Sequence, residues 1–171
     1  MEKSVVRRIR RVIFLFIFNL LLSRITKLWG LKRVVLRLGC VSVGNTSRVC
    51  GPLIIGNAVK LSIGEGTWVG QDFCVYGSGS CVIGSNCDIG PNVVILSGSH
   101  EIGGKDRRAG KGFHYNIEIG NGVWIGGKST VFGNIKINDS SIVAAGSVVQ
   151  RDVEKNTIVG GVPAKLIRDL Y

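Results

Sequence analysis

An all-β solenoid, a chain wound into stacked triangular coils, is the fold class this sequence predicts, and three observations carry the prediction. An aliphatic residue returns at every sixth position from Ile119 to Val149: Ile119, Ile125, Val131, Ile137, Val143, Val149. A helix repeats its apolar positions about every 3.6 residues and a strand alternates at about 2, so a period of six belongs to neither alone. It describes one short flat side and a corner, and three sides close a coil of about 18 residues with the aliphatic side chains stacked in the bore. The same phase runs back through Val43, Val49, Ile55, then Ile63, Val69, Val75, then Ile83, Ile89, Ile95, and eight of these fifteen side starts are followed directly by glycine. Average usage would place about one glycine there. Composition agrees: 45% hydrophobic but only 7% aromatic, with 25 glycines in 171 residues, suits a narrow aliphatic bore and a chain that turns often. A β-sandwich would instead alternate at period two, with turns about every 8–12 residues.

Residues 1–40 precede the repeat and differ from it. They hold ten Lys/Arg against Glu2 alone, a charge of +9 out of the +11 of the whole chain, so the remainder is nearly neutral. No aromatic–basic interleaving accompanies the charge, and nucleic acid is therefore not an expected partner. Residues 12–22 (VIFLFIFNLLL) are apolar except for Asn19 and follow Arg7, Arg8, Arg10 and Arg11. Eleven helical residues reach about 16 Å, roughly half a bilayer's hydrocarbon thickness, which argues against a span. The basic-then-apolar order is that of a signal peptide, yet no small-x-small cleavage site follows. Ile25, Leu28, Leu31, Val35 and Leu38 then recur at helical spacing among Lys27, Lys32, Arg33 and Arg37. Two readings stand: a basic amphipathic element lying on the inner membrane surface, or a helical segment packed on the solenoid or a neighbouring subunit.

The coils follow over residues 41–171. Starts at 43, 63 and 83 are twenty apart, so each early coil carries two extra residues at one corner, while 119 and 137 are eighteen apart. About five coils result. The phase breaks once, between Ile95 and Ile119, where residues 101–118 form a protruding loop holding Gly103, Gly104, Gly110 and Gly112 with Lys105, Arg107, Arg108 and Lys111. Insertions in solenoids usually serve the binding face, and His100 stands at the root of this one. The five cysteines are odd in number and lack metal-site spacing, so they read as small buried or half-buried residues of a reducing cytosol; Cys81 and Cys87, six apart, suit successive sides of one coil.

Four blocks add a resemblance: Ile89-Gly90-Pro91-Asn92-Val93 with Gly98-Ser99-His100; Ile119-Gly120-Asn121-Gly122-Val123-Trp124-Ile125-Gly126; Ala145-Gly146-Ser147-Val148-Val149; and Gly160-Gly161-Val162-Pro163-Ala164-Lys165-Leu166-Ile167-Arg168. Over about residues 43–168 the chain resembles the hexapeptide-repeat acyltransferases with a left-handed parallel β-helix, particularly the galactoside, maltose and nodulation-factor O-acetyltransferases and capsule-modifying relatives. The resemblance implies the left hand, which periodicity cannot assign, and a cytoplasmic homotrimer with active sites in the grooves between solenoids. It implies acetyl-CoA as acyl donor and an acceptor hydroxyl, expected to be that of a sugar or glycan; the N-terminal segment, as a membrane-surface element, motivates a role in surface polysaccharide biosynthesis, and no metal is expected.

Residue by residue, His100 matches the histidine that activates the acceptor hydroxyl. An alcohol must lose its proton as it attacks a thioester, and imidazole is suited to take it near neutral pH. Gly127 matches the residue whose backbone N–H faces the thioester oxyanion. Ala145 matches a small residue beside the pantetheine arm. Gln150, Arg151, Lys165 and Arg168 match positions at the adenosine and phosphate end, where cations suit a polyanion. Trp124 reads as packing at the subunit groove. Asp72 stands nearest to the family's transition-state asparagine, but an ionised aspartate cannot donate a hydrogen bond. His114 reads as a loop histidine or as a contact to substrate. The zinc-dependent γ-type carbonic anhydrases share the fold but need three histidine ligands, and the chain has two. Other acceptors, an amino sugar or serine, keep the fold; serine acetyltransferases usually bring a larger helical N-terminal domain. A non-catalytic scaffold would need neither His100 nor Lys165 and Arg168.

Overall fold

Isoleucine and valine at the sixth positions fall into three columns. Val43, Ile63, Ile83, Ile119 and Ile137 are in register on successive coils, as are Val49, Val69, Ile89, Ile125, Val143 and Val159. Ile55, Val75, Ile95, Val131 and Val149 make the third. All are buried. In the computed structural model, which describes residues 2–171 and so leaves only Met1 of residues 1–40 outside, these columns line the inside of a triangular prism. Its first face stacks Ser42–Val43, Lys60–Ile63, Ser80–Ile83, Asn116–Ile119 and Ile135–Ile137. The second stacks Arg48–Val49, Trp68–Val69, Asp88–Ile89, Trp124–Ile125, Ile142–Val143 and Thr157–Gly161. The third stacks Leu53–Ile55, Phe73–Gly77, Val94–Ile102, Thr130–Phe132 and Val148–Val149.

Backbones approach closely where the chain leaves a face. A Cβ on Gly84 would stand 2.5 Å from the carbonyl oxygen of Gly120 on the next coil, so the glycine after the aliphatic residue is a spacing requirement. The expected five coils are exceeded by a sixth, partial turn. Val153 bridges Ile137 in parallel and Thr157–Gly161 joins the second face. From Val149 to Val153 the spacing falls to four residues, so the six-residue phase ends while stacking continues. Ala164–Asp169 then folds back antiparallel on Thr157–Gly161.

The predicted loop at 101–118 is a two-stranded arm. Val94–Ile102 runs on past the corner and Ala109–His114 returns along it, with Gly112 opposite His100, Phe113 opposite Ser99 and His114 opposite Gly98. Backbone groups that leave the stack thus find partners in each other. The last three residues of the predicted excursion, 116–118, already belong to the strand Asn116–Ile119 of the fourth coil. Cys81 and Cys87 do sit on successive sides and are buried; all five thiols are free.

Helix α1 (Glu2–Ile17) continues through a π-helical turn, Phe18–Leu22, and is followed by helix α2 (Trp29–Leu38). Phe18, Leu22, Val35 and Leu36 join the core at the first coil. That coil has no neighbour beneath it, so its carbonyls need other donors. Arg37 donates to Val43 O (3.0 Å) on the first face, Arg33 to Ser47 O (3.1 Å) where the second begins, and Asn19 to Leu53 O (2.8 Å) on the third. Arg7 reaches Ala58 O (2.8 Å). Arg11, fully buried, donates to Gly39 O, Cys40 O, Gly56 O and Val59 O at 2.6–3.4 Å. Much of the N-terminal charge therefore closes the end of the solenoid, which supports the packed reading for the inner side of the segment. Among the described residues no helix is long and apolar enough to cross a membrane.

Arg11→Met keeps the stem and strips four carbonyls of a charged donor, so denaturant titration should show a loss of about 3 kcal/mol or more. Ile125→Ala, at the centre of a column, should cost about 2–5 kcal/mol. Burial holds the Cys81 thiol neutral, pushed up from 9.0 to about 12. Its contribution to stability is full below the ionisation of the unfolded thiol and is lost as pH rises towards about 12. A Cys81→Ala variant should flatten the alkaline limb of a stability–pH curve.

Candidate active site

The expected site residues sort onto two edges of the prism. At the edge between the second and third faces, successive coils turn through a residue of positive φ: Asp72 (56°), Asn92 (59°), Lys128 (61°) and Gly146 (71°). Asp72 thus occupies a left-handed corner position, which aspartate tolerates better than most residues, and this accounts for its residue type locally. Gly127 and Ala145 each precede such a residue, so Asp72, Gly127 and Ala145 stand on one edge at the second, fourth and fifth coils. Here too the coils leave no room: a Cβ on Gly126 would lie 2.5 Å from the Ala145 nitrogen. Gly126 and Lys128 donate their N–H groups to Val143 O (2.8 Å) and Pro91 O (2.9 Å). Between them, the Gly127 N–H makes no hydrogen bond among the described residues, which leaves a donor free at this edge.

His100, Gln150 and Arg151 lie on the other edge, where the third face gives way to the first. This corner varies in length from coil to coil, and the arm issues from it. The His100 ring is exposed, and its Nδ1 stands 3.0 Å from the Gly110 carbonyl on the returning strand. A carbonyl only accepts, so Nδ1 carries the proton and Nε2 is the acceptor nitrogen of the neutral ring. His100 and His114 fall on the same side of the arm, since residues opposite one another in a ladder share a face and so do positions two apart. Each histidine has a glycine across the ladder, Gly112 or Gly98, so the space between them stays open. It is a recess of about 450 Å³ bounded also by Gly77, Ser78, Ser99 and Phe113. The Phe113 ring is braced edge-on against Tyr115 (5.2 Å). Sequence reading gave His114 no firm place, because only the register of the arm brings it beside His100.

A second recess, of about 370 Å³, forms at the C-terminal end with Gln150, Arg151 and Lys165 in its lining. Asp152, Glu154 and Asp169 share it, so an anion would be met by individual cations and not by a uniformly positive bowl. Arg168 stands opposite Ile158 on the closing strand, outside this lining. Trp124 projects from the second face between Asp88 and Ile142 and is 54% exposed.

Parallel six-residue stacking and glycine corners define a hexapeptide-repeat solenoid, and the arm sets a histidine beside it. No family model matches the chain. It is 30% identical to the galactoside O-acetyltransferase of Escherichia coli (strain K12) over 129 residues, 75% of this chain and 64% of that protein. It is 39% identical to serine acetyltransferase 2 of Arabidopsis thaliana over 142 residues, 83% of this chain and 39% of that one. The chain therefore spans less than two thirds of either relative. A maltose O-acetyltransferase structure from Clostridium difficile 630 superposes with TM-score 0.84 at 27% identity, covering 100% of this chain and 90% of the other. A galactoside acetyltransferase in complex with coenzyme A gives 0.82 at 26%, covering 100% and 84%. The chain is thus similar in sequence to galactoside O-acetyltransferase and shares the left-handed hexapeptide-repeat β-helix fold of these acetyltransferase structures.

Neutral histidines in water favour the Nε2–H tautomer. Long-range ¹H–¹⁵N correlation should find the opposite at His100, with Nδ1 protonated; an Nε2–H signal would remove the orientation derived from Gly110.

Proposed function

We propose that the protein is an acetyl-CoA-dependent O-acetyltransferase acting on a sugar hydroxyl, as a homotrimer, in the biosynthesis of a surface glycan. The observation that carries this reading is His100, braced through Nδ1 so that Nε2 faces outward as a base beside an open recess. Nε2 takes the hydroxyl proton as the oxygen attacks the thioester carbonyl carbon. The Gly127 N–H, which makes no hydrogen bond among the described residues, faces the oxyanion of the tetrahedral intermediate. Collapse breaks the C–S bond, and the imidazolium returns the proton to the departing thiolate. The base supplies about 10²–10⁴-fold. Arg151 and Lys165 meet the phosphates of the donor, Gln150 and Arg168 its adenosine end, and Ala145 leaves room for the pantetheine arm.

Trimerisation has a geometric reason. His100 and Gly127 stand on different edges of one prism, so a single groove unites them when the edge of one copy lies against the other edge of its neighbour. Asp72 then joins the acceptor side, and the exposed Trp124 packs at the seam. The relatives named galactoside and maltose O-acetyltransferases support a sugar acceptor. The likeness to a serine acetyltransferase keeps serine as the second reading.

Calorimetry with acetyl-CoA should show saturable binding near one per chain, and none by a folded protein would overturn the proposal. His100→Ala should lower kcat about 10²–10⁴-fold while acetyl-CoA binding persists. Lys165→Ala and Arg151→Ala should instead weaken donor binding. An acceptor screen against sugars and serine decides between the readings, with alkali-labile product marking an ester.

A further inference from the structure

The cations of α1 split by direction. Arg7 and Arg11, with Phe14 and Phe18, face the first coil, and the arginines are engaged by carbonyls there. On the opposite side Val5, Ile9, Val12, Ile13, Phe16 and Leu20 recur at spacings of three and four and form one apolar stripe. All six are about half exposed or more, and Phe16 and Leu20 reach 65%. Nothing among the described residues covers them. Arg8 beside the stripe and Arg24 and Lys27 beyond its end are exposed cations.

The geometry points to an anionic lipid surface as the occupant of this stripe: α1 lies flat in the bilayer interface with Phe16 and its neighbours among the acyl chains and Arg8, Arg24 and Lys27 at the headgroups. Charge selects this occupant over a second copy. Arg8, Arg24 and Lys27 are exposed beside the stripe or beyond its end and residues 1–40 hold one acidic residue, so two such faces brought together set like charges against each other, whereas an anionic bilayer attracts both. An apolar stripe flanked by cations on a helix of modest length is the pattern that binds in the interface plane. The inner side of the helix is already fixed to the solenoid, so docking presents a rigid body and orders no loop.

Such docking also sets a height. Two coil spacings of about 4.8 Å and one helix diameter of about 10 Å put His100, on the third coil, roughly 20 Å above the surface. That suits a saccharide carried on a lipid, a consequence that rests on the acetyltransferase reading; the docking itself does not.

The test is co-sedimentation of the full chain with phosphatidylcholine vesicles, with and without about one third phosphatidylglycerol. Binding to the anionic vesicles, weakened by salt, is expected. Ile9→Asp combined with Phe16→Asp should lower partitioning at least about tenfold with the melting temperature held, since both residues lie exposed on the side of the helix away from the first coil. Val12→Asp serves as a second, milder variant. Absence of binding to anionic vesicles, equal partitioning of the variants, or variants that reduce the oligomeric state in light scattering would each overturn the proposal, the last by making the stripe an interface between copies. Acetyl-CoA calorimetry on the same proteins reports the catalytic reading separately.

Discussion

Coil must sit on coil in one register, and every other feature of this molecule answers to that demand. Three columns of valine and isoleucine fix it from inside, because each aliphatic residue rests on the one below. Glycine fixes it at the corners: carbonyls of adjacent coils come so near that a single methyl group would force them apart. Hydrophobic burial supplies the attraction and close backbone approach supplies the uniqueness. A prism built this way has rigid edges, and rigid edges let a helix-free scaffold hold isolated groups such as the Gly127 N–H at fixed height.

The period of six was legible because it recurs, and whatever recurs once was not. Val43 through Val149 could be placed on their columns from spacing alone, and so could Cys81 and Cys87 on their sides. The partial sixth turn escaped because Val149 and Val153 are four apart, which breaks the phase without breaking the stack. The arm was visible only as a gap. Its pairing depends on which residue faces which across the ladder, and glycine-rich strands such as Ala109–His114 advertise no alternation. His114 accordingly had no visible neighbour, and the ladder sets it beside His100. The basic N-terminal segment left a membrane-surface and a packed reading open, because Arg7, Arg11, Arg33 and Arg37 are directed inward to main-chain oxygens that no sequence pattern reveals.

The candidate site shows the same division. His100 stood out by position, at the end of the repeat. What orients it, a carbonyl of Gly110 ten residues on, has no signature because any residue offers a carbonyl. Asp72 carries two constraints at once: it occupies a left-handed corner like Asn92, Lys128 and Gly146, and it lies on the edge that the proposed groove shares. A substitution there changes backbone strain as well as chemistry. Likewise the separation of His100 from Gly127 onto different edges follows from where the extra residues enter each coil, a matter of loop length and not of composition.

The donors that meet the first coil deserve a wider reading, because a parallel stack is open-ended by construction. Nothing in the repeat itself says where to stop, and a bare terminal coil is a template on which the last coil of another chain could continue the sheet. Arg37, Arg33 and Asn19 each occupy one face of that template, and Arg11 fills the space between. At the far end the reversed strand Ala164–Asp169 blocks the second face in the same sense. The donors that complete the fold at the first coil, and the reversed strand on the second face at the last, thus also leave less of either end open to continuation.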